Sequence, residues 1–266
     1  MVRYEREAQF HDAKVASMEI VASPPACPDP WVAAMLQRAG DVRAKRVLEL
    51  GCGTGDLAIQ LACAGANLTV LDVSRRSVEM TCARVNRFAD GASIKATVAP
   101  AEATTLATSS FDLILGNCVI HHLDVESASA EIARLLVPSG EAVFVETSGL
   151  NPILMLARRY LVGRLGIPRF GTEDEHPLAK ADFATFQRHF RQVELVFPAF
   201  LFLEMFDRQV LRYRYRWASR VLNSLDAVID RYVPKLRRYS WLFLLRVAEP
   251  IVPESEPQGG IKQLVS

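Results

Sequence analysis

Three glycines at alternate positions, Gly51, Gly53 and Gly55, follow the short apolar run Val47-Leu48-Glu49-Leu50, and a helical pattern starts at once at Asp56. A strand that runs through a glycine turn into a helix has two chemical uses. The glycines allow a sharp turn and let a ligand touch the main chain. The free N–H groups at the helix start suit an anionic group such as a carboxylate. S-adenosylmethionine (SAM) carries such a carboxylate on its methionine part. A dinucleotide fingerprint, G-x-G-x-x-G, is the competing reading, but it needs a small residue where this chain has Asp56. The spacing, with Glu49 two residues before the first glycine, favours SAM over NAD. Asp72 ends the next apolar run, about twenty residues on, where an acid can accept both ribose hydroxyls. Its plainer role is to cap the following helix, and Ser74 competes for that.

Histidines are the candidates for proton transfer, because their ordinary pKa lies near neutrality. His121 and His122 follow the fourth apolar run, at the edge of the sheet where open α/β folds bind ligands. His11 lies in Phe10-His11-Asp12 on a first helix, as a lid contact or a surface residue. His176 closes Glu173-Asp174-Glu175-His176, a group able to bind a metal or take a proton, though a solvated loop is the simpler expectation. His189 ends an apolar helix and reads as structural. No metal site is expected.

The elements that must position these groups alternate. Helical patterns at 4–20 and 31–39 flank a proline cluster, Pro24, Pro25, Pro28 and Pro30, with Gly40 as a C-cap. Strands are predicted at 47–50, 68–72, 93–98, 111–116 and 142–146, and helices at 57–64, 75–88 and 127–137, the last stopped by Pro138. Short apolar strands alternating with helices imply a mostly parallel sheet covered by helices on both faces. Further on, helices are predicted at 151–165 and 180–190, a loop at 166–177, strands at 193–203 and 241–248, and one long amphipathic helix at 206–232. Residues 251–266 read as a disordered tail.

With 266 residues and a formal net charge of +1, the chain suits one domain with a cap and shows no bulk affinity for nucleic acid. Its five cysteines, Cys27, Cys52, Cys63, Cys82 and Cys118, form no CxxC pair. Neither a disulfide framework nor a zinc knuckle is expected, and a reducing cytoplasm is. No apolar run reaches membrane-spanning length.

These segments together resemble the class I SAM-dependent methyltransferases, above all the ubiquinone/menaquinone-biosynthesis and small-molecule group. The matching motifs are Glu49–Gly55, Leu71-Asp72-Val73-Ser74, Ala99-Pro100-Ala101-Glu102, Phe111-Asp112-Leu113-Ile114, Asn117 to Leu123 and Leu136-Val137-Pro138-Ser139-Gly140. The resemblance is close over residues 46–147. It implies a Rossmann-like, mostly parallel seven-stranded sheet with an antiparallel last strand and helical cap or lid insertions. It also implies an N-terminal helical lid at 1–45 and a SAM domain at 46–250, with insertions near 148–178 and 205–238 that build the acceptor pocket. By the resemblance Glu49 would belong to the cofactor set, as would the main chain at Gly51, Cys52, Gly53 and Gly55, which would hold the methionine part. Asp72 would hold the ribose and Val73 would line the adenine. Ala101 and Glu102 would sit by the adenine amino group, and Asn117 and Cys118 beneath the sulfonium. Many relatives carry an acid where this chain has Pro100, which leaves adenine recognition to backbone groups and Glu102.

The implied activity is methyl transfer from SAM to an oxygen, nitrogen or carbon nucleophile of a small molecule, leaving S-adenosylhomocysteine (SAH). Residues 205–238 complicate this picture. They hold nine Lys/Arg against three Asp/Glu, with Arg208, Arg212, Arg216 and Arg220 on one stripe. The opposite stripe holds Phe206, Val210, Tyr213, Trp217, Val221, Leu225 and Tyr232. The expectation is a cap helix with this apolar stripe on the core. The alternative is peripheral contact with an anionic membrane and a lipid or quinone acceptor. A non-catalytic SAM-binding or partner-binding module is the remaining reading. The oligomeric state does not follow from the sequence.

Overall fold

The computed structural model describes residues 3–16, 28–160 and 176–251. The predicted tail and most of the 166–177 loop lie outside the described residues. Seven strands form one sheet: β1 (Arg46–Leu50), β2 (Asn67–Asp72), β3 (Ile94–Val98), β4 (Phe111–Asn117), β5 (Leu136–Thr147), β6 (Phe190–Val196) and β7 (Leu242–Pro250). Their order is β3-β2-β1-β4-β5-β7-β6. The first five are parallel, and β7 runs antiparallel to both β5 and β6.

The order reverses between β1 and β4. The connections leaving these two strands diverge there and open a crevice at their carboxyl ends, where doubly wound sheets take ligands. The glycine loop follows β1 and Asn117-Cys118 follows β4, so both lie at this crevice.

Helices α1 (Arg3–Ala16), α2 (Pro30–Ala39), α3 (Asp56–Cys63), α4 (Arg75–Phe88) and α5 (Val125–Leu135) flank the parallel half. Two apolar clusters cover the faces of the sheet. One is built on Trp31, Met35, Ile59, Leu61 and Val85, the other on Ile120, Ile132, Phe186 and Phe243. Helix α4 keeps its predicted bounds because Ser74 caps it, accepting from the Ser77 N–H at 3.0 Å. Asp29 likewise caps α2 through the N–H groups of Trp31 and Val32.

Three expectations are corrected. Pro138 does not stop a helix. Helix α5 ends at Leu135 and β5 starts at Leu136, passing through Pro138 with a shifted register between Phe111 and Leu113 on its neighbour. A proline is tolerated at such an irregularity because the ladder bond is already interrupted. Strand β6 begins at Phe190 and stops at Val196, just before Pro198.

The third correction concerns the long basic helix. It is broken into α8 (Leu203–Phe206), a π-helical turn (Asp207–Leu211) and α9 (Arg216–Tyr232). Arg212 and Tyr213 adopt left-handed backbone, each with φ of 53°. That conformation ends a helix. Arg208 and Arg212 therefore do not share a helical stripe with Arg216 and Arg220. The other helices are α6 (Pro152–Tyr160) and α7 (Lys180–His189). No helix among the described residues is long and apolar enough to cross a membrane.

Candidate functional site

A cavity of about 430 Å³ opens at the switch point. Its lining includes Glu49, Gly51, Cys52, Gly53, Asp72, Val73, Ala101, Glu102, Asn117, Cys118 and His122, with Tyr4, Glu7 and His11 from α1. Every residue the sequence assigned to the cofactor lines this one space, apart from Gly55. That glycine shapes the loop from behind: its φ is 84°, and a Cβ there would come within 3.0 Å of the Thr81 Cα.

The loop and the acid hold each other. Asp72 Oδ2 accepts the Gly53 N–H at 3.0 Å and Oδ1 accepts the Ser74 N–H at 2.8 Å. Ser74 performs the capping, so Asp72 is left to face the cavity. Burial raises the Asp72 pKa, against the lowering effect of these N–H donors. Behind the loop, the buried Arg84 guanidinium pairs with Asp56 at 2.8 Å and bonds the Thr54 carbonyl. Arg84 escaped sequence reading because an arginine inside a helix pattern is ordinarily a surface residue.

Glu49 is 2% exposed, and no described residue hydrogen-bonds its Oε2. Burial first, then the charges of Asp72 and Asp56, push its pKa well above the usual carboxylate range. The Cys52 thiol is also raised well above its ordinary value, chiefly by burial, which removes it as a nucleophile.

The charge of the lining separates the two candidate ligands. Glu7, Glu49, Asp56, Asp72 and Glu102 all contribute to it, and no Lys or Arg does among the described residues. A dinucleotide pyrophosphate would meet these carboxylates without a cation to balance it. SAM carries a sulfonium and an ammonium against one carboxylate, so its net positive charge fits. The buried, unpartnered Glu49 oxygen is the kind of atom that such a cation satisfies.

The histidines divide. His122 and His11 line the cavity, with ring centroids 5.7 Å apart. His121 turns inward: its Nδ1 donates to Glu146 Oε2 at 2.7 Å, while Glu146 Oε1 accepts the N–H groups of Val119 and Ile120 at 2.9 and 2.7 Å. The fully buried Glu146 thus clamps the 3-10 turn Ile120–His122 that presents His122. His176 is exposed and lies 3.7 Å from Asp182, outside the cavity lining. Glu173, Asp174 and Glu175 lie outside the described residues. His189 pairs with Glu126 at the surface. Glu146 was missed because, unlike Asp72, it stands at no fixed spacing from the glycine loop, and Glu7 because only its i, i+4 spacing to His11 marks it.

A profile of the methyltransferase domain family matches residues 47–140. The ubiquinone/menaquinone biosynthesis C-methyltransferase of Desulfotalea psychrophila is 30% identical over 171 residues, 61% of this chain and 67% of that protein. The ubiquinone biosynthesis O-methyltransferase of Bordetella avium is 26% identical over 155 residues, 56% of this chain and 63% of that protein. The matches span about half to two thirds of such curated relatives. Among solved structures, the [4+2]-cyclase SpnF superposes with a TM-score of 0.61 at 19% identity, covering 94% of this chain and 97% of its own. That likeness is one of fold. The chain belongs to the class I SAM-dependent methyltransferases.

Proposed function

We propose that this chain transfers the methyl group of SAM to a small-molecule oxygen, nitrogen or carbon nucleophile and releases SAH. The observation that carries this reading is the acidic cavity at the switch point, where Asp72 ties the glycine loop to the end of β2. Bound SAM supplies a methyl carbon already activated by its sulfonium. The main chain at Gly51, Gly53 and Gly55 holds the methionine part, with Glu49 facing its ammonium. Asp72 takes the ribose hydroxyls. Val73, Ala101 and Glu102 frame the adenine, and Asn117 and Cys118 lie beneath the sulfonium. Residues 1–45 act as a lid, and the insertions at 148–178 and 205–238 shape the acceptor side. Alignment and exclusion of water supply much of the rate in such a displacement. For an acceptor that must lose a proton, His122 is the base, with His11 beside it and His121 fixing the turn.

The first test is calorimetric titration with SAM and SAH. The wild type binds both. Asp72→Ala, which removes two charge-assisted hydrogen bonds, weakens binding by about 100-fold, and Gly53→Arg abolishes it. Failure of the wild type to bind either ligand removes the proposal. Binding without conversion of labelled SAM across an acceptor panel leaves a non-catalytic module, a real alternative because the fold is shared by a [4+2]-cyclase.

A second reading concerns the acceptor. The apolar stripe expected on the core faces outward instead: Trp217 is 70% exposed and Tyr232 71%, and Phe206, Val210, Tyr213, Val221 and Leu225 are exposed as well. In α9 this stripe is flanked by Arg216 and Arg220. An exposed apolar stripe beside arginines suits an anionic lipid surface. The curated relatives named above are quinone-biosynthesis enzymes. We therefore extend the proposal to a lipophilic acceptor collected at a membrane surface by a cytoplasmic protein.

A further inference from the structure

Two acid and histidine groups stand out near the histidines of the cavity. One is the His121–Glu146 clamp, whose hydrogen bonds already account for it. The other is Glu7, His11 and His122, whose ligand atoms all lie within 4.8 Å of one another. Glu7 and His11 are four residues apart on α1, so they share one face of the helix. His122 comes from the turn after β4. Lid and sheet meet at this point.

The distances have a particular meaning. Glu7 Oε2 is 3.6 Å from His11 Nε2 and 3.5 Å from His122 Nδ1. A charge-assisted hydrogen bond draws its atoms to about 2.7–2.9 Å. Two ligands on one tetrahedral zinc, each about 2.0–2.1 Å from the ion, sit about 3.4 Å apart. These contacts match the edge of a coordination polyhedron better than a hydrogen bond. Glu7 is buried, at 6% exposed. All three residues line the cavity, so a fourth ligand position can open into it.

We infer that Glu7, His11 and His122 form a divalent metal site of the two-histidine, one-carboxylate type, with zinc the preferred ion and one position open to the acceptor. Its chemical role rests on the methyl-transfer reading, whereas its existence does not. With the ion bound, His122 is a ligand instead of the base, and an acceptor hydroxyl at the open position gives up its proton to solvent more readily. The oxygen then attacks the methyl carbon as the carbon–sulfur bond breaks, and the electron pair stays on sulfur in SAH. The same ion would staple the N-terminal helix over the cavity.

The test uses the full chain stripped with a chelator and titrated with zinc chloride, alongside a Cys63→Ser control that removes an exposed thiol outside the site. The expected result is one equivalent of zinc bound. Glu7→Gln, His11→Ala and His122→Ala each weaken it about tenfold or more, while far-ultraviolet circular dichroism and thermal unfolding report that each variant is folded. Cobalt substitution gives a second measurement on the wild type. Visible bands of a nitrogen and oxygen site support the proposal, and thiolate charge-transfer bands overturn it. No stoichiometric zinc, or zinc binding untouched by all three variants, overturns it too. Intact SAH binding in that case leaves the methyl-transfer reading standing.

Discussion

Glu49 is the residue whose environment is most at odds with its chemistry. Its carboxyl is buried beside Asp72 and Asp56, so its pKa stands well above normal in the free protein. A raised folded-state pKa means that the native chain holds more protons than the unfolded chain. The contribution of this group to stability is therefore present below its unfolded pKa and lost as pH rises through the folded value. Asp72 shifts in the same direction. A cation entering the cavity lowers both values and expels protons. We expect the calorimetric enthalpy of SAM binding to vary with the ionisation enthalpy of the buffer, showing net proton release, and we expect Glu49→Gln to reduce that release. Buffer-independent heats would show that Glu49 does not face a cationic group. Gly55 makes a separate prediction. Gly55→Ala places a Cβ against Thr81 in left-handed backbone and should cost about 1–3 kcal/mol in urea unfolding. A change within 0.5 kcal/mol would mean that the loop relaxes freely.

At the scale of elements, α9 carries the clearest consequence. Its inward side is small: Ala218 and Asp226 are its buried residues. Asp226 accepts the N–H groups of Leu203 and Glu204 at 3.0 and 2.8 Å, which ties α9 to the start of α8 by polar rather than apolar contact. Burial raises the pKa of this carboxyl. The apolar stripe is thus left for another surface. With vesicles of anionic phospholipid, the protein should cosediment, and Val221→Asp with Leu225→Asp should reduce the bound fraction several-fold without altering SAH affinity. Cosedimentation that is absent, or equal on zwitterionic vesicles, removes the membrane reading.

For the whole molecule, the cavity joins parts distant in sequence: α1, the loop after β1, the end of β2 and the turn after β4. The binding free energy of a ligand that fills it is expected to add to global stability. At a concentration of SAH about one hundred times its Kd, linkage contributes about 2.7 kcal/mol, which for a chain of this size raises Tm by roughly 5–10 °C. The absence of any shift, with binding seen by calorimetry, would mean that the cavity melts separately from the core.

The local chain determined the parallel half of the fold and most of the lining of the cavity at the switch point. Glycines with left-handed backbone, an acid at a strand end, and serine or aspartate caps act over a few residues, so Gly51–Asp56, Asp72 and α4 were legible as written. Burial and pairing across long separations are tertiary properties. The inward turn of His121 depends on Glu146, twenty-five residues away. Arg84 is buried because Asp56 and the Thr54 carbonyl receive it, twenty-eight and thirty residues back. The expectation that the apolar stripe of α9 lies on the core followed the rule that apolar faces pack inward, and only the tertiary structure showed that no described element covers it. The Glu7–His11–His122 cluster arose the same way, because the docking of α1 brings residues more than one hundred positions apart to one point in space.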